Sequence, residues 1–237
     1  MWQANVFTIF PEAFPGTLGV SIAKRALETN KWSLNVIDLK KFPSKADRID
    51  SPPCGGGAGM LLSPITFEKA FETLSESSKN MKRIYFSPRG RKLLQKDFQK
   101  ISESSGITVL CGRYEGVDHR IIKHYEMEEI SIGDFVIFGG EVAAMTIIEG
   151  CVRLLPEVVG DSESINSDSF QNNLLEYDQY TRPASFHGLV VPEILLSGNH
   201  KNIENFRRDQ SKKLTMQMRP DMWRRYIAET MSEIKNK

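Results

Sequence analysis

Residues Ile107-Thr-Val-Leu-Cys-Gly-Arg-Tyr-Glu-Gly116 indicate the class of fold, because a short apolar run passes directly into a loop bounded by glycine. Residues 107–111 predict a buried strand, since β-branched and aliphatic side chains dominate them. Residues 117–125, which follow the loop, predict a short helix. A buried strand, a glycine loop and a helix in this order are typical of a sheet covered by helices.

The same alternation extends in both directions from this stretch. Further strands are predicted at residues 5–10, 33–39, 83–86 and 130–138, the last broken at Gly133-Asp134, and further helices at residues 19–30, 65–74, 93–101 and 142–155. Residues 51–59 predict irregular backbone because proline and glycine dominate them. Strands that alternate with helices indicate an α/β fold with a mostly parallel sheet, covered on both faces.

Three loops that follow predicted strands are rich in glycine: Ser87–Gly90, Gly112–Gly116 and residues 133–140. Ligands of parallel sheets bind beyond the carboxyl ends of the strands, so bare backbone here can approach a flat ligand such as a purine. Ordinary tight turns are the alternative for each loop taken alone. The sequence contains no P-loop, and residues 55–59 lack the spacing of a Rossmann fingerprint.

Composition excludes several classes of protein. Of 237 residues, 40% are hydrophobic, and 31 basic against 30 acidic side chains leave a formal charge of +1, which excludes a uniformly basic protein. The cysteines Cys54, Cys111 and Cys151 are odd in number and far apart, which favours reduced thiols in a cytoplasmic protein. We expect neither a signal peptide, since residues 1–5 carry no basic side chain, nor a membrane span, since the longest uncharged stretch is broken by proline and glycine.

The C-terminal part of the chain differs in composition. Residues 160–173 contain four Ser and three Asn, which predicts a flexible linker. Residues 186–237 carry ten Lys and Arg against six Asp and Glu, so the small excess of positive charge lies there. We therefore predict a domain at 1–160, a linker at 161–173 and a helical domain at 174–237.

Seven short motifs occur in order along the chain, and together they are more specific than any one of them. They are Pro53-Cys-Gly-Gly-Gly-Ala-Gly-Met60, Ser87-Pro-Arg-Gly-Arg-Lys92, Cys111-Gly-Arg-Tyr-Glu-Gly-Val-Asp118, Ser131-Ile-Gly-Asp-Phe135, Gly139-Gly-Glu-Val-Ala-Ala-Met145, Tyr180-Thr-Arg-Pro183 and Leu195-Leu-Ser-Gly-Asn-His200. This series resembles the bacterial tRNA (guanine-N1)-methyltransferase family of SPOUT methyltransferases, over essentially the whole chain.

The resemblance implies a reaction and an organisation. The reaction is methyl transfer from S-adenosylmethionine to N1 of the guanine at position 37 of tRNA, just 3′ of the anticodon. The organisation is a catalytic domain with a trefoil knot at the C-terminal end of its sheet, then a small helical tRNA-binding domain. Members are similar in being homodimers with the active site shared between subunits. A requirement for Mg²⁺ does not follow from the sequence.

The resemblance also assigns residues to cofactor binding. These are Tyr85, Phe86, Ser87, Pro88, Gly90, Gly112, Tyr114, Glu115, Gly116, Ser131, Ile132, Gly133, Phe135, Phe138, Gly139 and Gly140. Ala58 and Ala143 stand where the family usually has proline, and Arg89 replaces a glutamine. We expect these departures to affect loop stiffness and cofactor affinity, not the reaction.

Methylation at N1 of guanine requires a base and a cation. N1 carries a proton in the neutral base, so it becomes a nucleophile only as that proton leaves and negative charge builds toward O6. By their match to the family, Asp168 is the candidate base and Arg153 the candidate partner of O6. Local sequence leaves open a helix cap for Asp168 and a helix-dipole contact for Arg153.

The remaining candidates concern RNA. Glu176 is predicted to contact an anticodon base, with an exposed loop carboxylate as the alternative, and His200 to position RNA. A backbone-binding face, or a solvated helix surface, is predicted for Arg207, Arg208, Lys212, Lys213, Arg219, Arg224 and Arg225. No histidine has the spacing of a metal ligand. Two other functions remain open: methylation of a ribose 2′-hydroxyl, and RNA binding without catalysis.

Overall fold

The computed structural model describes residues 1–43, 48–160 and 168–235. The chain divides into two compact units, Met1–Gly160 and Asp161–Lys237. Of the predicted linker, residues 161–167 lie outside the described residues.

A parallel sheet forms the centre of the first unit. The strands of this sheet are β1 (Trp2–Thr8), β2 (Trp32–Asp38), β5 (Lys82–Lys92), β6 (Gly106–Leu110) and β7 (Glu128–Ser131). Two further strands, β3 (Asp50–Ser51) and β4 (Leu61–Leu62), form a separate antiparallel pair. The central strands lie in the order β2-β1-β6-β5-β7, and every neighbouring pair is parallel. The predicted α/β fold with a mostly parallel sheet is confirmed.

Helices cover both faces of this sheet. They are α1 (Ser21–Glu28), α2 (Pro64–Phe71), α3 (Glu76–Lys79), α4 (Gln95–Ser102), α5 (His119–His124) and α6 (Glu141–Val152). Successive side chains of a strand point to opposite faces of the sheet, so the side chains of β1 pack into two separate hydrophobic cores. Val6 packs in one cluster with Ile147 of α6, whereas Phe7 packs in the other with Phe67 of α2.

Two local predictions at the carboxyl end of the sheet were wrong. The strand expected at 83–86 continues to Lys92 through a bulge, at which Phe86 and Arg91 both pair with Ile130. The strand expected at 130–138 ends at Ser131. The Ser131 hydroxyl donates to the Gly133 carbonyl and accepts from the Gly133 N–H, which turns the chain out of the sheet.

The second unit is mainly helical. It contains a 3₁₀ turn at Gln171–Asn173, the hairpin strands β8 (Ser185–Phe186) and β9 (Leu189–Val190), and the helices α7 (Glu193–Leu196), α8 (His200–Met218) and α9 (Pro220–Lys235). Thr215 of α8 is fully buried, and its hydroxyl accepts the Leu175 N–H at 2.8 Å. No helix in the described residues has both the length and the apolar character needed to cross a membrane.

Candidate active site

A cavity of about 310 Å³ lies at the carboxyl ends of β6 and β7, beside the bulge of β5. Its wall is formed by Tyr85, Phe86, Ser87, Pro88, Gly112, Arg113, Tyr114, Glu115, Gly116, Ile130, Ser131, Ile132, Gly133, Phe135, Val136, Ile137, Phe138, Gly139, Gly140 and Ala143. Every residue predicted to bind the cofactor lines this cavity, except Gly90. Gly90 lies in the bulge, where a Cβ atom would come within 2.4 Å of the Ile130 nitrogen.

Several residues of the cavity wall were not predicted to bind the cofactor. Arg113, Val136 and Ile137 lie inside the predicted loops, and Ala143 was noted only as a departure from the family pattern. For Arg113, Val136 and Ile137, their position between assigned residues was the signal that could have identified them. Arg89, another departure, donates two hydrogen bonds from Nη2 to the carboxylate of Glu129 on β7.

Two of the glycine loops meet through their backbones. The Gly140 N–H donates to the Gly112 carbonyl at 2.9 Å, and a Cβ atom on Gly140 would lie 2.8 Å from Cys111 Cα. On the other side, a Cβ on Gly112 would lie 2.8 Å from the Tyr85 hydroxyl oxygen. Burial, with the negative charge of Glu129, raises the pKa of Tyr85, so its hydroxyl stays protonated at neutral pH. Glycine is therefore required here by close approach.

A buried carboxylate fixes the one arginine of the cavity wall. Only 3% of the Glu141 side chain is exposed, and its Oε2 accepts from Arg113 Nε at 2.9 Å. Its Oε1 accepts from the Thr8 hydroxyl at 2.8 Å. The Arg113 guanidinium also lies 4.5 Å from the centre of the Phe10 ring. These contacts hold a positive charge against the cavity, where it can bind an anionic group of a ligand.

The glycine-rich segment 53–59 is joined to the same wall. The Glu115 N–H donates to the Met60 carbonyl at 3.0 Å, and the Leu62 N–H donates to the Gly116 carbonyl at 3.1 Å. Gly59 has a φ of +80°, and a Cβ there would collide with the Glu115 side chain. Burial and the neighbouring Asp50 raise the pKa of Tyr114. The segment therefore stands beside the cavity with its backbone anchored at residues 60–62.

Comparison with known proteins identifies the family. The family model for tRNA (Guanine-1)-methyltransferase TrmD matches residues 2–225. The chain belongs to this family. A tRNA (guanine-N(1)-)-methyltransferase from Ruegeria pomeroyi is 46% identical over 230 residues, which cover 96% of this chain and 95% of the relative. One from Ehrlichia canis is 50% identical over 222 residues, which cover 93% and 94%.

The two candidate catalytic residues, Arg153 and Asp168, lie in different units of the chain. Arg153 follows α6 directly, its N–H donates to the Glu149 carbonyl, and it is not among the residues that line the cavity. Asp168 precedes the 3₁₀ turn at Gln171–Asn173, within which Asn172 has a φ of +50°. Between residues 168 and 192 the helical structure is this 3₁₀ turn, and no α-helix begins there.

The candidates for tRNA contact all lie in the second unit. Glu176 donates its N–H to the Ser169 hydroxyl, and its carboxylate accepts from the Gln179 amide. His200 is the first residue of α8, whose N-terminus is capped by Asn199. Arg207 lies over the Tyr177 ring at 4.9 Å, while the neighbouring Arg208 donates to Asn205.

The described residues contain no cluster of metal ligands, and two of the three cysteines are buried. Within residues 1–43, 48–160 and 168–235, no group of three or more His, Cys, Asp or Glu side chains could hold a metal ion. Burial raises the pKa of Cys151 to about 12, and it raises the pKa of Cys111 well above its usual value. Both thiols therefore remain protonated at neutral pH.

Proposed function

We propose that this protein transfers a methyl group from S-adenosylmethionine to N1 of guanine 37 in tRNA. The observation that carries the proposal is the cavity formed by the motif loops at the carboxyl end of the sheet. Membership of the family, and relatives named tRNA (guanine-N(1)-)-methyltransferase, support the reaction and the substrate.

The cavity fits S-adenosylmethionine in size and in chemistry. Its volume of about 310 Å³ lies in the range of small-molecule sites. Gly112, Gly116 and Gly140 let bare backbone approach the flat adenine, and Arg113 offers a cation to the carboxylate of the amino-acid end. When bound, the cofactor supplies an electrophilic methyl group on a positively charged sulfur.

We assign the proton transfer to Asp168 and the stabilisation of charge to Arg153. The Asp168 carboxylate takes the N1 proton as the bond from N1 to the methyl carbon forms and the bond from sulfur to carbon breaks. The Arg153 guanidinium donates to O6, where negative charge accumulates. The walls of the cavity contribute by holding the reacting groups in line.

The proposal extends to the organisation that the family resemblance implies. Residues 1–160 form the knotted cofactor domain and residues 174–237 the tRNA-binding domain, and residues 161–173 connect the two. Two copies form a cytoplasmic homodimer with shared active sites. Support comes from the two units of the chain and from the basic side chains of α8 and α9. Glu176 contacts an anticodon base, His200 helps to position the RNA, and Arg208 binds the RNA backbone.

The test is to incubate the protein with labelled S-adenosylmethionine and unmodified tRNA transcripts, then map the methylated atom. We expect label at N1 of guanine 37 and none in a transcript with adenine at that position. Label on a ribose 2′-oxygen would establish the rival methyltransferase, and RNA binding without label would establish the non-enzymatic function.

A variant tests the base separately. Asp168→Asn keeps the shape of the side chain but cannot accept the proton, so turnover should fall by about a hundredfold or more while cofactor affinity stays the same. The measurements are single-turnover kinetics and calorimetric titration of the cofactor. If Asp168→Asn turned over at the wild-type rate, the assignment of Asp168 as the base would be wrong.

A further inference from the structure

The second unit has a cavity of its own, of about 350 Å³. Tyr177 and Tyr180 contribute aromatic rings to it, Arg182 and Arg207 contribute cations, and Leu195 contributes part of an apolar wall. Aromatic faces, guanidinium planes and hydrogen-bonding edges are the groups that bind unstacked bases of single-stranded RNA. The proposed substrate supplies such bases in the anticodon loop.

The contact between Arg207 and Tyr177 distinguishes this arginine from its neighbours on α8. Its guanidinium lies 4.9 Å from the centre of the Tyr177 ring, so the plane of the group is held before RNA arrives. Arg208 instead donates to Asn205 on its own helix and does not line the cavity. A fixed plane suits stacking on a base, whereas a phosphate requires only a charge within reach.

Backbone contacts keep the wall in place. Leu175, two residues before Tyr177, donates its N–H to the buried Thr215 hydroxyl of α8, the helix that also carries Arg207. On the opposite side, the Val191 N–H donates to the Ala184 carbonyl at 2.9 Å, which closes the hairpin β8–β9. The cavity is therefore formed before a ligand binds, which lowers the entropic cost of binding.

The rim of the cavity presents hydrogen-bond acceptors. Asp178 and Gln179 are among the residues that line the cavity, and each has a side-chain oxygen that can accept a hydrogen bond. Because the Gln179 amide nitrogen donates to Glu176, its carbonyl oxygen remains as an acceptor for a ligand. Two acceptors match a base that carries an exocyclic amino group, which uracil lacks.

We propose that this cavity binds one unstacked nucleobase of the tRNA anticodon loop, other than the methylated guanine, and favours a base with an amino group. The proposal rests on the proposed tRNA substrate. It gives Arg207 a role in stacking, in place of the phosphate contact expected from the sequence.

The experiment measures binding of the full-length protein to tRNA transcripts that each lack one base of the anticodon loop. We expect one position other than 37 at which loss of the base weakens wild-type binding by about tenfold, the effect typical of one stacked base. The same loss should leave binding by Tyr177→Ala unchanged, because that variant has already lost the stacking. Uracil at that position should bind more weakly than the natural base.

Variants at residues 207 and 208 separate stacking from charge. Arg207→Lys keeps the charge but not the plane, so it should bind tRNA as weakly as Arg207→Ala and keep the wild-type salt dependence. Arg208→Ala should weaken binding equally for every transcript and lower the salt dependence. Wild-type affinity in Arg207→Lys, or no position sensitive to base loss, would overturn the proposal.

Two controls keep the result unambiguous. If Tyr177→Ala does not fold, Arg207→Lys decides, since it retains most of the local packing; Tyr177→Phe keeps the ring and should bind tRNA like the wild type. A change in the sedimentation mass of the free protein on Tyr177→Ala would assign the cavity to a contact between protein chains and overturn the proposal. If the wild type methylates guanine 37 but no base-loss position is found, only this inference fails; if it methylates no tRNA, the proposed function fails as well.

Discussion

The two carboxylate oxygens of Glu141 accept hydrogen bonds from different partners, one from Arg113 at the cavity and one from Thr8 on β1. Because each oxygen has its own partner, the effect of Glu141 on ligand binding can be tested separately from its effect on the stability of the fold. Of the three residues, only Arg113 lines the cavity. Glu141 is thus a positioning residue that acts on the ligand through Arg113.

We predict that Glu141→Gln weakens S-adenosylmethionine binding by about tenfold, because the amide cannot hold the guanidinium as the carboxylate does. The KM for the cofactor should rise with little change in kcat. Thr8→Val is the matched control: it should lower the free energy of unfolding by about 1 kcal/mol and leave cofactor affinity unchanged. Equal losses of affinity in both variants, measured by calorimetry, would contradict this role.

The cysteines allow a second test at the scale of single residues. Cys54 is exposed, whereas Cys111 and Cys151 are buried. With a pKa of about 12, Cys151 has almost no thiolate at pH 8, and the raised pKa of Cys111 acts in the same direction. A thiol reagent should therefore label Cys54 rapidly in the native protein and all three cysteines in denaturant. Rapid labelling of more than one native thiol, counted by mass spectrometry, would contradict this.

At the scale of elements, Asp97 connects helix α4 to the bulged strand β5. Its carboxylate, 8% exposed, accepts from the Leu94 N–H at 2.8 Å and from Arg91 Nη1 at 2.8 Å. Burial alone would raise its pKa, but the hydrogen bonds from Arg91 and Leu94 outweigh burial and lower the pKa below the ordinary value. The folded state therefore favours the ionised form.

Because folding lowers the pKa of Asp97, the free energy of unfolding depends on pH. A carboxylate whose pKa is lowered by folding stabilises the protein above its unfolded pKa, and that stability is lost as pH falls through the folded pKa. Asp97→Asn should lower the free energy of unfolding by about 1–3 kcal/mol at pH 7 and by less at pH 3. Urea unfolding at both pH values measures the difference. Asp221→Asn, at an exposed pair with Arg219, should have a smaller effect at pH 7, and a loss for Asp97→Asn that does not change with pH would contradict the assignment.

The elements also show what the sequence could predict. Buried parallel strands are continuous apolar runs, so the strands around residues 33–39 and 107–111 were predicted within about one residue of their bounds. Residues 135–138 are equally apolar but form a loop, with Val136 84% and Phe138 95% exposed. The pattern of hydrophobic residues cannot distinguish these cases, because the turn made by the Ser131 hydroxyl decides between them.

The cavity was predictable for a different reason. Its loops carry glycine in motifs that can be recognised in the sequence, and all but one of the predicted residues line it. The pairing of Arg113 with Glu141 was not predictable. These residues are 28 positions apart, and they meet because the backbones of Gly112 and Gly140 touch, which only the folded chain reveals.

At the scale of the whole molecule, the proposed shared active site can be tested with two inactive variants. If Asp168 and Arg153 of one site come from different subunits, a heterodimer of Asp168→Asn and Arg153→Ala has one intact site and one doubly defective site. Heterodimers purified with two different tags after co-expression should then recover about half of the wild-type rate per dimer. Each variant homodimer is the control, and a heterodimer as inactive as both homodimers would place the two residues in the same subunit's site.

The meeting of Gly112 and Gly140 has a consequence for inhibitors of the enzyme. A point mutation changes a side chain but leaves the amide and carbonyl groups of the main chain, including those of the five glycines among the residues that line this cavity. A side chain added at Gly140 would collide with Cys111 and damage the pocket itself. A drug that hydrogen-bonds to these main-chain groups would therefore leave few substitutions within the pocket by which resistance could arise.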